Sequence, residues 1–164
     1  MNSSGAPYRI FISSPVEEIG SYREQVIRTA EIAASDGVFE FYYFEKMANV
    51  PEPGESICDS IIRHAGCEFD ALFLFFKDRV GVGTLAEFEY FHKKRKINPQ
   101  IAIWWSQIHC EVTSEEVKRI VGRLHEYGTG LPPGLPGEVL IDAPHKLSDR
   151  FTRKLIEKAD QRRI

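Results

Sequence analysis

The chain predicts an α/β fold in three layers, α/β/α, around a five-stranded and mainly parallel sheet. Three observations predict it. Strand-like and helix-spaced segments alternate along the chain, strand then helix, five times over, and right-handed crossovers wind that pattern into a parallel sheet between two layers of helices. The block Ala71 to Phe76 is apolar throughout and bounded by Asp70 and Lys77, as suits a strand buried on both faces. Behind it, a turn with Gly81 and Gly83 leads into a segment in which Leu85, Phe88 and Phe91 share one side of a helix.

Met1 to Pro7 is small and polar and reads as a loose arm. Tyr8 to Ser13 is rich in β-formers and is the first strand; Ser13-Ser14-Pro15 ends it and favours entry into a helix. Ile19, Tyr22, Val26, Ile27, Ala30 and Ala33 recur at three and four, the stripe of a helix lying on a sheet, and Asp36-Gly37 closes it. Val38 to Phe44 is the second strand, with Phe39, Phe41 and Tyr43 on one side and Glu45 at its C-terminal end. Met47 to Gly54, with two prolines, is a loop over the C-terminal edge of the sheet.

Ser56 begins a helix carried by Ile57, Ile61 and Ala65 and closed by Gly66, and the apolar third strand follows. After the helix that carries Glu87, Ile97 to Pro99 is a turn. Gln100 to Trp105 is the fourth strand, which leaves Ser106, Gln107 and His109 beyond its end. Thr113-x-x-Glu116 has capping-box spacing before the amphipathic face Val117, Ile120, Val121 and Leu124, a helix that runs to Gly128. Gly128 to Gly137 is a proline-glycine connector and Glu138 to Asp142 a short edge strand. Lys146 to Ile164 is a charged last helix with Phe151, Leu155 and Ile156 turned inward.

At 164 residues and 43% apolar, the chain is the size of one domain with a single core, expected to span Tyr8 to Ile164. A formal charge of -3 gives no pull toward nucleic acid, and the short basic runs at Lys93 to Lys96 and Gln161 to Arg163 read as solvated helix ends. The three cysteines, Cys58, Cys67 and Cys110, lack C-x-x-C spacing, so they read as reduced thiols of a cytoplasmic protein and not as a zinc site. Nowhere do about 18 apolar residues run together, and no membrane association is expected. No metal is expected.

Ligands of such sheets sit beyond the C-terminal ends of the strands, where strand order reverses. The topology brings there Ser13, Ser14, Glu45, Lys77, Asp78, Arg79, Gly81, Gly83, Thr84, Glu87, Glu89, Trp105 and His109. A phosphoacceptor receiver would need acids where Ser13-Ser14-Pro15 stands. A dinucleotide fingerprint is matched by Gly81-x-Gly83-x-x-Ala86, but after the third strand instead of the first, and no acid ends the next strand to hold a ribose. Cleavage of an N-glycosidic bond asks less. Positive charge develops on the ribose C1′ as the base departs, and one carboxylate either stabilises or attacks it. Backbone N–H groups of the glycine turn are then expected to face a bound anion. The plain readings stand beside these: acids in a first helical turn are favoured by the dipole, serines cap helices, and tryptophans in a strand belong to the core.

The run GVGTLAEFEYF resembles the glycine-turn-then-glutamate segment of the nucleoside 2-deoxyribosyltransferase and nucleotide N-hydrolase family, where G-x-x-x-E opens a helix. FISSPVEEIGSYREQV, with DALFLFFKDRVG, also resembles the FISST-type TIR-like domain of large signalling ATPases. The similarity runs over roughly Tyr8 to Trp105. It implies a flavodoxin-like (TIR-like) sheet, a nucleotide or nucleoside as substrate with no separate cofactor, and self-association through the domain. It assigns the nucleophile to Glu87, with Glu89 as the alternative; on a helix the two lie about 200° apart, so one faces the cleft and the other turns away. Where the transferases carry an acid to protonate the leaving base, this chain has Lys77-Asp78-Arg79; Asp78 could serve, though Arg79 beside it is expected to make it a poor acid. The nicotinamide of NAD is already cationic while bonded, so it leaves as a neutral base without an acid. The expected activity is therefore of the NAD glycohydrolase type. The substrate would be held by Ser13, Ser14, Pro15, Glu45, Arg79, Gly81, Gly83, Thr84 and Trp105. Deoxyribosyl transfer or nucleoside hydrolysis is one alternative, and a non-catalytic TIR-like module the other.

Overall fold

A parallel sheet with helices on both faces forms the protein in the structure, a computed structural model that describes residues 6–15, 20–43, 53–54, 60, 69–108, 114–124 and 144–163. Its elements are β1 (Tyr8–Ser13), α1 (Gly20–Ala33), a 3-10 turn (Ala34–Asp36), β2 (Phe39–Tyr42), β3 (Ala71–Phe76), α2 (Val82–Ile97), β4 (Ala102–Gln107), α3 (Glu115–Leu124) and α4 (Pro144–Arg163). Among the described residues the sheet has four strands, in the order β2-β1-β3-β4, and every pairing is parallel. The expected fifth strand, Glu138 to Asp142, lies outside the described residues, as do the loop Met47 to Glu52 and most of the helix expected from Ser56; Ser60 of that helix is helical and buried.

Alternation along the strands divides the core in two. Ile10, Ile12, Phe73, Phe75 and Trp104 pack with Val26 and Ala30 of α1 and with Leu147, Phe151 and Leu155 of α4. Phe11, Leu72, Leu74, Phe76, Ile103 and Trp105 pack on the other face with Phe88 and Phe91 of α2 and with Val117, Ile120 and Leu124 of α3. β3 feeds both cores and is buried along its whole length, which is why it has no polar alternation. Its register with β1 is set at one end by Asp70, whose carboxylate accepts the Arg9 N–H at 2.8 Å while its own N–H donates to the Arg9 carbonyl, also at 2.8 Å.

Several boundaries differ from expectation for identifiable reasons. β4 runs on to Gln107 because Ser106 and Gln107 continue the ladder opposite Phe75 and Phe76, and the Ile108 N–H donates to the Phe76 carbonyl at 2.7 Å. The cap of α3 is Ser114, not Thr113: its hydroxyl accepts the Val117 N–H at 3.2 Å, so Glu116 is no capping-box partner. In α4 the inward stripe is Leu147, Phe151 and Leu155, at strict steps of four. Ile156, about 100° further round, is 57% exposed instead of turned inward. No helix among the described residues is long and apolar enough to cross a membrane.

Candidate functional site

β1 is followed by a crossover through α1 to β2 on one side, whereas β3 is followed by α2 and then β4 on the other. Strand order therefore reverses between β1 and β3, and the crevice past Ser13 and Phe76 is the place where such sheets receive ligands. Phe76 is followed by half-buried Lys77 and Asp78, exposed Arg79, and Val80, whose fully buried side chain anchors the turn into α2.

Gly81 is the N-cap of α2 and has φ 81° and ψ 160°, a conformation that only glycine adopts without strain. Nothing lies within 4 Å of the position that a Cβ would take there, so the requirement is conformational and not steric. Gly83 is different: it sits inside the first turn of α2 with ordinary helical backbone and open space around it. Gly81→Ala is expected to cost about 1–3 kcal/mol. Gly83→Ala should instead be neutral or stabilise by up to about 1 kcal/mol. Chemical denaturation of the two variants side by side checks this, and equal losses would contradict it.

The turn amides have an occupant from the chain itself. Glu116, on the first turn of α3, accepts the Gly81 N–H at 3.2 Å and the Val80 N–H at 3.4 Å. The adjoining contact, from the Ser114 hydroxyl to the Asp78 carbonyl at 2.9 Å, fastens the same two segments. Two of the amides expected to face a bound anion are thus engaged by an internal carboxylate, a correction the spacing Thr113-x-x-Glu116 concealed.

From this cap, α2 carries Thr84, Glu87, Phe88 and Phe91 on its buried side. Thr84 and Glu87 are one turn apart and point the same way. Glu87 is only 8% exposed, and the Ser13 hydroxyl donates to its Oε1 at 2.5 Å, a short bond that joins α2 to the end of β1. Glu89 turns away. It receives both guanidinium nitrogens of Arg123 on α3, at 2.6 and 3.0 Å, in a half-exposed pair. Those hydrogen bonds hold the Glu89 carboxyl below its ordinary value of 4.5. The pair's contribution is therefore whole above that value and lost as the pH falls through the lower folded one. Glu89→Gln is expected to cost about 0.5–1 kcal/mol near neutral pH and progressively less as the pH is lowered below 4.5, read from urea unfolding across that range.

Ser14 is engaged on the opposite side of the sheet. Its hydroxyl accepts Nη1 of Arg23 at 2.8 Å, and its carbonyl lies 3.5 Å from the same nitrogen. Arg23 is buried in α1, and the sequence reading passed over it. The signal was present, because Arg23 falls at three and seven residues before Val26 and Ala30, on the face that α1 buries.

The remaining candidates divide. Pro15 is half-buried beside Ser14. Arg79, expected to help hold the substrate, is exposed. Trp105 is a correction: at 1% exposure it lies in the core beneath α2 and α3, so its ring offers no face to a ligand. Glu45 and His109 fall outside the described residues. Among the described residues no group of three or more His, Cys, Asp or Glu side chains is placed to hold a metal ion.

Neither a family model nor a curated protein matches the chain. Among solved structures, a conserved protein from Enterococcus faecalis V583 is similar over 91% of this chain and 99% of its own, with 13% identity and a TM-score of 0.48.

Proposed function

We propose that the protein cleaves the N-glycosidic bond of a nucleotide, NAD in the first place, with Glu87 acting on the ribose C1′. The observation that carries this reading is the Glu87 carboxylate itself: buried, held by Ser13, and set at the crevice where strand order reverses. In such a site a fixed carboxylate stabilises, or attacks, the centre that becomes positive as the C1′–N bond breaks. The electron pair leaves with the nicotinamide nitrogen and neutralises it. Water then adds at C1′ and gives up a proton. No general acid is required, in keeping with a turn that offers Asp78 only between Lys77 and Arg79. The flavodoxin-like, TIR-like arrangement draws its support from the strand order, since one more strand beyond β4 would complete the flavodoxin-like sequence of strands.

The substrate is tested by incubating the protein separately with NAD, with deoxynucleosides and with their monophosphates, and identifying the released base. Release from NAD alone is the expected result. Release from a deoxynucleoside, with sugar passed to a second base, would replace the reading by deoxyribosyl transfer.

A second reading, a TIR-like module that self-associates without catalysis, is favoured by one observation. Ile32 of α1 and Ile156 of α4 are 75% and 57% exposed and border the same apolar groove of about 350 Å³. Concentration-dependent sedimentation that disappears in Ile32→Glu, together with intact NAD, would select it.

A further inference from the structure

Ser13 and Ser14 are adjacent in the chain, yet their side chains are claimed by different helices on different faces of the sheet. Ser13 shares the face of Phe11 and meets Glu87 of α2; Ser14 turns to the α1 side and meets Arg23. Ser13 is also the last residue of β1 in register with β3, opposite Leu74. Ser14 lies one residue past that register. Arg23 acts there. Its guanidinium is permanently charged and 3% exposed, a burial that is costly unless the group makes directed hydrogen bonds. Its Nη1 donates to the hydroxyl of Ser14 and lies 3.5 Å from the Ser14 carbonyl.

We propose that Arg23 is a positioning residue for Glu87: it pins Ser14, and with it the peptide that carries Ser13, so that the Ser13 hydroxyl is held on the Glu87 carboxylate. The catalytic consequence rests on the reading of Glu87 given above; the positioning itself does not. Other charged groups on the surrounding elements have different engagements. Glu89 is bound to Arg123, Glu116 to the Val80 and Gly81 amides, and Arg79 is exposed, while Lys77 and Asp78 are half-buried in the turn after β3. On this proposal Arg23 acts on Glu87 through Ser14 and Ser13, so its effect on the carboxylate is expected to vanish when Ser13 can no longer donate.

The test is a titration of the Glu87 side-chain carboxyl by carbon-13 NMR, with the resonance assigned by its loss in Glu87→Gln. Ser13→Ala, Arg23→Met and Ser14→Ala are each expected to raise its midpoint by about one pH unit, as befits one lost or loosened hydrogen bond to a carboxylate. The double variant Ser13→Ala/Arg23→Met should move it no further than Ser13→Ala alone. Ser14→Ala keeps Arg23 in place and serves if Arg23→Met does not fold; Arg23→Lys, with a single point donor, should fall between. With NAD, Arg23→Met should lower kcat about tenfold and leave KM within about twofold, because an aim is lost and not a ligand contact. An unmoved midpoint in both Arg23→Met and Ser14→Ala, or a shift by Arg23→Met that adds in full to that of Ser13→Ala, would overturn the proposal. If the wild type releases no base from any nucleotide, the glycosidase reading fails while the titration still decides the role of Arg23.

Discussion

Glu87→Gln is expected to lower the rate of base release by about 10²- to 10³-fold or more, while the fold is retained. Gln has the shape of Glu and its carbonyl can still accept the Ser13 hydroxyl, so the bond between α2 and the end of β1 survives in neutral form. What disappears is the negative charge. On the proposed reading that charge would face the developing oxocarbenium centre, and Glu87, only 8% exposed, has little water to screen it. The loss should fall on kcat and on kcat/KM alike, because the interaction strengthens only as the bond breaks. Steady-state kinetics with NAD, paired with a thermal melt of the same preparation, measures both halves. A large activity loss accompanied by unfolding would assign Glu87 to the fold instead.

Phe73→Ala is expected to destabilise the protein by about 3–5 kcal/mol. Phe73 is fully buried in the strand that feeds both cores, and its ring stacks on Phe151 of α4 with centroids 4.4 Å apart. It also meets Phe75 at 5.1 Å. Truncation leaves a cavity between the sheet and the last helix that large aromatic neighbours cannot close without leaving their rotamers. Because α4 reaches this face through Leu147, Phe151 and Leu155, the same substitution should weaken its docking selectively. Urea unfolding gives the total, and amide exchange along α4 shows where it is felt. A loss below about 1.5 kcal/mol would mean that α4 is not held by this contact.

The parts of the fold that the sequence made legible are those where local chemistry and burial agree. β1 and β3 have the expected ends because Ser13-Ser14-Pro15 and the flanking Asp70 and Lys77 are polar where the core stops. α1 is legible from its stripe and from Gly37, whose φ of 80° suits the end of the 3-10 turn that follows it. The placement of Glu87 and Glu89 on different sides of α2 follows from helical geometry, but which of them meets the sheet depends on the turn before it. Gly81 sets the start of the helix at Val82, and that start carries Thr84 and Glu87 inward together.

What escaped the sequence depends on contacts between distant segments. Glu116 binds the Gly81 turn only because α3 is carried back over the end of β3, and its spacing from Thr113 suggested a purely local role. Ser106 and Gln107 look like strand-ending residues until β3 supplies a ladder for them. Trp105 sits near the end of its strand, but alternation turns it into the core and away from the crevice. Arg23 was hidden by its charge: a cation on the stripe of an amphipathic helix is read as surface unless the neighbouring strand end offers it a partner.

The most direct test of the central claim is to incubate concentrated wild-type protein with NAD and follow nicotinamide and ADP-ribose over time. The account predicts that both appear, in equal amounts, as expected for hydrolysis at C1′. NAD that remains intact throughout, with folded protein present at high concentration, would contradict it.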